Sequence, residues 1–138
     1  MKKVLVIDDD AAVTRSIRAV MNRKTSFTVR EVNDARRAHS TALEFAPDVI
    51  VLDIDMPYKT GPDVAEELRN DGRTREIPIV FLSSMCTRKE QSLAPGERSG
   101  DLLMAKPFQV SAFLRVVREQ AEASPRAGRN ETRRRTEE

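Results

Sequence analysis

Two stretches of the chain are apolar without a break: Val4-Leu5-Val6-Ile7 and Val49-Ile50-Val51-Leu52. Each ends on aspartate, Asp8 and Asp53. No polar residue alternates within them, so they read as strands buried on both faces, as in the centre of a parallel sheet. Ile77-Pro78-Ile79-Val80-Phe81-Leu82 predicts another strand, closed by Ser83-Ser84, with Pro78 tolerable only near its start. Asp101 to Ala105, with Leu102, Leu103 and Met104, predicts a fifth. Phe27 to Val32 alternates instead, and reads as a short edge strand.

Between these runs the apolar period changes to that of a helix. Val13, Ile17, Val20 and Met21 predict a helix over Ala11 to Arg23, with Asp10 as its N-cap. Ala35, Ala38, Ala42, Leu43 and Phe45 predict a second helix, stopped by Pro47. Gly61 and Pro62 open a third, with Val64, Ala65 and Leu68 on its apolar side and Asn70-Asp71-Gly72 at its end. Val110, Phe113, Leu114, Val116 and Val117 predict a helix near the end of the folded part. Thr87 to Gly100 should hold the remaining helix, but its only apolar residues are Leu93 and Ala94, and Pro95-Gly96 interrupts it.

Strand then helix, five times with short loops, is the pattern of an α/β fold with a parallel sheet and helices on both faces. Right-handed crossovers and this length favour the five-stranded flavodoxin-like order 2-1-3-4-5. In that order strands one and three are neighbours and the winding reverses between them. Ligands of such sheets bind beyond the carboxyl ends of the strands at that reversal. Asp8-Asp9 and Asp53-Asp55 should therefore converge there, joined by Ser83 from strand four and Lys106 from strand five.

Composition narrows the partners. With 138 residues the chain suits one domain, assigned to 1–122; residues 123–138 read as a polar, Arg-rich tail, disordered or a linker stub. The last 14 residues hold five Arg and three Glu, which leaves 19 basic and 19 acidic residues upstream. A neutral body without Trp, and with Tyr58 as its one Tyr, argues against nucleic-acid binding by this chain. No apolar run approaches a membrane span, and the chain opens without a signal-peptide pattern. The single cysteine, Cys86, cannot form an internal disulfide, which suits the cytoplasm. His39 is expected on the exposed side of the second helix.

Converging carboxylates repel one another and raise each other's pKa; a divalent cation resolves this. An all-oxygen site with open positions suits Mg²⁺, and zinc is disfavoured because no His or Cys lies at ligand spacing. A carboxylate can attack phosphorus to form an aspartyl phosphate. Transfer then depends on positioning and on neutralising charge on the transferred oxygens. Lys106 offers a positive charge and Ser83 a hydroxyl donor.

These residues together resemble the response-regulator receiver domains of two-component signalling. The resemblance rests on Asp8-Asp9 after strand one, Asp53 ending strand three, Met56-Pro57 with Gly61 behind it, Ser83 ending strand four, and Lys106-Pro107-Phe108 after strand five. It covers roughly Lys2 to Ala121. It implies that Asp53 is the phospho-acceptor, Asp9 a direct Mg²⁺ ligand, and Asp8 its partner acting through water. Asp55 stands where the family ligates the metal through a backbone carbonyl. Ser83 matches the hydroxyl position, Lys106 the phosphate-binding lysine, and the Lys106–Pro107 bond is implied to be cis. The donor is implied to be a phosphohistidine on a sensor kinase or phosphotransfer protein. Output would then come through a downstream protein partner or a homodimer.

Two departures stand out. Leu103 occupies the place of the family's aromatic switch residue, and the segment from Ser83 to Lys106 is one residue longer than usual. Two other functions compete. Asp53-Ile54-Asp55 also resembles the first motif of haloacid-dehalogenase-type phosphatases, but that fold needs an acidic pair after its lysine, and here the pair precedes it. A receiver-like binding module that is never phosphorylated would be expected to lack the acceptor, the acidic pair or the lysine, and all are present.

Overall fold

The computed structural model describes residues 2–84, 101–106 and 108–124. Five parallel strands form one sheet in the order β2-β1-β3-β4-β5. They are β1 (Lys3–Ile7), β2 (Thr28–Val32), β3 (Val49–Asp53), β4 (Ile79–Ser83) and β5 (Leu102–Ala105). The helices among the described residues are α1 (Ala11–Lys24), α2 (Ala38–Phe45) after a single 3₁₀ turn at Ala35–Arg37, α3 (Gly61–Arg69) and α4 (Val110–Ala123). The expected order is the observed one. The weakly encoded helix between Thr87 and Gly100, the tail from Pro125 and the isomer of the Lys106–Pro107 bond fall outside the described residues.

The unbroken apolar runs are explained by two separate cores. Val4, Val6, Val49 and Val51 pack under α1 and α4, with Ile17, Met21, Phe113 and Val117. Leu5, Ile7, Ile50 and Leu52 face the other way, toward Ala38, Ala42, Val64 and Leu68 of α2 and α3. Every residue of β1 beyond Lys3 and every residue of β3 is buried. Each such side chain contributes about 1.5–3 kcal/mol on leaving water. Leu103 is buried in the α2–α3 core.

Local chemistry sets the boundaries. Asp10 caps α1, its Oδ1 accepting from Ala12 N at 2.9 Å. The Thr25 hydroxyl closes that helix on Met21 O at 2.7 Å. α2 ends in left-handed Ala46, one residue before Pro47. Thr60 and Asp63 form a reciprocal capping box at the start of α3. β2 begins at Thr28 and not Phe27, because Thr28 N donates to Lys2 O at 2.9 Å whereas Phe27 N turns back to Thr25 Oγ1. β4 begins at Ile79: Pro78 has no N–H to give, and Ile77 N belongs to the preceding turn, donating to Thr74 O.

His39 differs from expectation. It is half-buried, and its Nε2 lies 3.0 Å from Asp71 Oδ2, joining α2 to the turn after α3. A contact across 32 positions of sequence leaves no trace in the helical period.

Candidate functional site

The carboxyl ends of β1, β3, β4 and β5 bring the candidate residues together. Asp8 follows β1 directly and is buried. Four hydrogen bonds fix it. Its N–H donates to Val32 O at 3.1 Å, and its carbonyl accepts from Asn33 Nδ2 at 2.8 Å. Its Oδ1 accepts from Asp10 N at 2.9 Å, and its Oδ2 from Lys106 Nζ at 2.7 Å. Asp53 is the last residue of β3 and is 6% exposed. Its Oδ1 accepts from the same ammonium at 3.1 Å. Ligand oxygens of Asp8, Asp9 and Asp53 all lie within 4.8 Å of one another, with Asp9 exposed at the mouth.

Lys106 enters from the end of β5, where its N–H donates to Ser83 O at 2.8 Å. Ser83 is buried as the last residue of β4, in register with Ala105. Asp55 is exposed, and its carboxylate is not part of the three-residue cluster. Thus Asp8, Asp9, Asp53 and Lys106 meet through their side chains, Ser83 joins the same sheet edge, and the Asp55 carboxylate does not join the cluster.

The electrostatics follow from crowding. Burial pushes the Asp53 carboxyl above its usual range; Asp8 and Asp9 push the same way, and the bond from Lys106 only partly opposes them. Burial alone would pull Lys106 down, but its bonds to Asp8 and Asp53 prevail and hold the ammonium above its ordinary value. Three carboxylates against one ammonium leave two negative charges. For the buried pair Asp8 and Asp53, a separation of 4.8 Å corresponds to about 3.5 kcal/mol of repulsion at an effective dielectric of about 20. All-oxygen donors, a residual charge of two and an open mouth fit a hard divalent cation such as Mg²⁺, held by Asp8, Asp9 and Asp53.

The backbone around Asp53 is shaped by Gly61. Gly61 N donates to Ile54 O at 2.8 Å. A Cβ there would lie 2.5 Å from Asp53 O and 2.9 Å from Ile54 Cα, so no side chain fits without moving the acceptor strand. Between them, Tyr58 adopts φ 72, a left-handed conformation foreign to a bulky residue. Such a residue costs about 1–3 kcal/mol. Tyr58 is 75% exposed and buries little in return. Its ring carries the Arg36 guanidinium at 3.8 Å, and Arg36 is forked on Asp34 at 2.9 and 3.1 Å. An exposed cation–ring contact returns less than the strain costs.

Sequence reasoning missed two features of this rim. Asn33 holds the Asp8 carbonyl and also donates to Thr14 Oγ1 at 3.0 Å. Its place just past the end of β2 was the available signal, since strand ends gather at the site. The Arg36–Tyr58 stack had no sequence signal.

The family model described as the response regulator receiver domain matches residues 4–118. The chain belongs to that family. Among curated relatives, this receiver domain is 32% identical over 119 residues to the DNA-binding dual master transcriptional regulator RpaA of Synechocystis, covering 86% of this chain and 48% of that protein. It is 29% identical to the phosphate regulon transcriptional regulatory protein PhoB of Pseudomonas aeruginosa, covering 84% and 51%. The receiver thus spans about half the length of the curated relatives it matches. A Francisella response regulator receiver domain superposes with a TM-score of 0.76 at 25% identity, covering 89% of this chain and 98% of that one. The receiver domain of a sensor histidine kinase from Pseudomonas aeruginosa, solved with magnesium in its active-site cleft, shares the fold at TM-score 0.76 and 21% identity, covering 88% and 98%. These matches lend no support to the phosphatase reading or to an unphosphorylated binding module. Receiver domains of response regulators partner with histidine kinases. Among the described residues no helix is long and apolar enough to cross a membrane.

Proposed function

We propose that this receiver accepts a phosphoryl group on Asp53 from a phosphohistidine, and that the aspartyl phosphate switches its binding to a downstream protein or to a second copy. The observation that carries the reading is the meeting of Asp8, Asp9 and Asp53 within 4.8 Å, with Lys106 bonded to both Asp8 and Asp53. Asp53 supplies the attacking oxygen. The new O–P bond forms as the N–P bond of the donor breaks, and the leaving imidazole takes up a proton. Lys106, already within reach of Asp53 Oδ1, then faces an oxygen of the transferred group, and Ser83 donates from the neighbouring strand end. Asp9 and Asp53 would hold Mg²⁺ directly, with the Asp55 backbone carbonyl and with Asp8 acting through water. When bound, the ion offsets the charge of the carboxylates and of the incoming phosphoryl oxygens. Burial and the neighbouring Asp8 and Asp9 push the Asp53 carboxyl above its usual range, and a divalent cation held beside it would oppose that push.

The donor is a sensor histidine kinase or a phosphotransfer protein, and the reaction is cytoplasmic. RpaA is named as DNA-binding, but this chain matches only about half of it. For the present chain the neutral body favours a protein partner. Incubation with phosphoramidate and Mg²⁺ should add one phosphoryl group, seen by intact mass and lost at alkaline pH. Asp53→Asn or chelation of Mg²⁺ should abolish the adduct. A wild-type chain that stays unmodified, or an adduct that survives in Asp53→Asn, would sink the reading.

A further inference from the structure

We propose that the Tyr58 ring, backed by Arg36, is the contact through which this receiver recognises the protein that donates its phosphoryl group. The inference rests on the proposed phosphotransfer to Asp53, and it assigns a partner surface beside that site.

Place is the first argument. Tyr58 lies on the loop between Asp53 and Gly61, and Gly61 packs directly on the Asp53 carbonyl. Arg36 lies just beyond Asn33, whose side chain holds the Asp8 carbonyl. The stack therefore joins the two loops that rim the acidic cluster. A donor must bring its phosphorus in line with the Asp53 carboxylate, so its surface has to pass over this rim.

Form is the second. Only Tyr58 and Val110 are large exposed apolar side chains among the described residues, and Val110 lies in the first turn of α4. Tyr58 is held in left-handed backbone that its own contacts do not repay, and strain of that kind points to a use outside the folded chain. The ring is not loose. Arg36 covers one face at 3.8 Å and is itself fixed by its fork to Asp34. The free face is thus presented in one orientation, which lowers the ordering cost on binding. Tyr and Arg are also the residue types that carry most binding energy at protein interfaces.

Chemistry names the partner's side. The Arg36 charge is already answered by Asp34, so the platform is apolar and close to neutral, with the phenol hydroxyl at its tip. It fits an aliphatic or Met side chain packed on the ring and a hydrogen-bonding group at the hydroxyl. An acidic peptide would gain little here.

Phosphotransfer from two kinds of donor tests this. The protein donors are cytoplasmic fragments of histidine kinases, autophosphorylated with radiolabelled ATP; the one that labels the wild-type chain fastest is the probe. The small donor is phosphoramidate, which needs no docking surface. Tyr58→Gly and Tyr58→Asn both tolerate the left-handed backbone, and both should slow transfer from the kinase about tenfold or more, the scale of losing an interface aromatic. Their labelling by phosphoramidate should change by less than about twofold, because Asp53 and its neighbours remain. Tyr58→Phe keeps the ring and should retain most of the kinase rate. Equal rates from the kinase for all variants would overturn the proposal, as would parallel losses with both donors. So would a chain that phosphoramidate labels but no kinase fragment does. A wild-type chain that phosphoramidate fails to label defeats the phosphotransfer reading itself, and is thereby distinguished from failure of the docking surface.

Discussion

The two ends of the sheet treat buried charge in opposite ways. At the amino end of β4 and β5, Asp101 meets Arg69 at 2.6 Å and also accepts from Ile79 N at 3.2 Å. Arg69 in turn donates to the carbonyls of Arg75 and Ile77 at 2.7 and 2.8 Å. One anion faces one cation, and the pair ties α3 to the start of two strands. At the carboxyl end, three carboxylates cluster and a single lysine bonds two of them, Asp8 and Asp53. The balanced end holds the sheet together. The unbalanced end carries repulsion that proton uptake or a bound cation would relieve.

Three experiments can break or sharpen this contrast. Arg69→Ala should cost the most, because it strands Asp101 without its cation. Loss of one partner of a buried pair costs roughly 3–5 kcal/mol, visible as a lower urea midpoint. A neutral result would show that the amino end is not held by its charges.

The opposite sign is expected at the other end. Burial and its acidic neighbours raise the Asp53 carboxyl, so its contribution to stability is present below the unfolded value and is lost as pH rises through the folded one. At neutral pH without Mg²⁺, Asp53→Asn should therefore raise the urea midpoint above wild type. Added Mg²⁺ should then favour wild type, by about 2.7 kcal/mol at a hundredfold excess over Kd. Destabilisation by Asp53→Asn in Mg²⁺-free buffer would contradict the stored repulsion.

The smallest effect concerns Asp71. The Arg73 side chain, the Arg73 N–H and His39 hold its carboxyl well below the usual range. Its contribution is present above the unfolded carboxylate value and fades as pH falls through the depressed one. The stability gap between wild type and Asp71→Ala should persist at neutral pH and close in acid well below pH ~4. A gap that widens in acid would overturn this.

These contrasts also show what the sequence could reveal. β1 and β3 were legible because a strand buried on both faces leaves an unbroken apolar run that few other structures explain. Their ends located Asp8 and Asp53, and the chain order of strands located Ser83 and Lys106. Boundaries beside Phe27 and Pro78 shifted by one or two residues, since a single hydrogen bond decides them. Long-range side-chain pairs were not legible. His39 with Asp71, Arg69 with Asp101, and Arg36 with Tyr58 depend on directions that no local pattern records. The Thr60–Asp63 capping box could have been read, as its spacing is local.

The contact of Gly61 with Asp53 has a practical side for anyone building a reporter from this chain. A dye or spin label at position 61 would displace the acceptor it was meant to watch, because even one added carbon would lie 2.5 Å from the Asp53 carbonyl oxygen. Gly72 is the contrasting choice: a Cβ there meets nothing within 4 Å. A cysteine placed at position 72, with Cys86 changed to serine, gives a single attachment point at the far end of α3. It can follow movement of that helix while leaving the Asp53 carbonyl untouched.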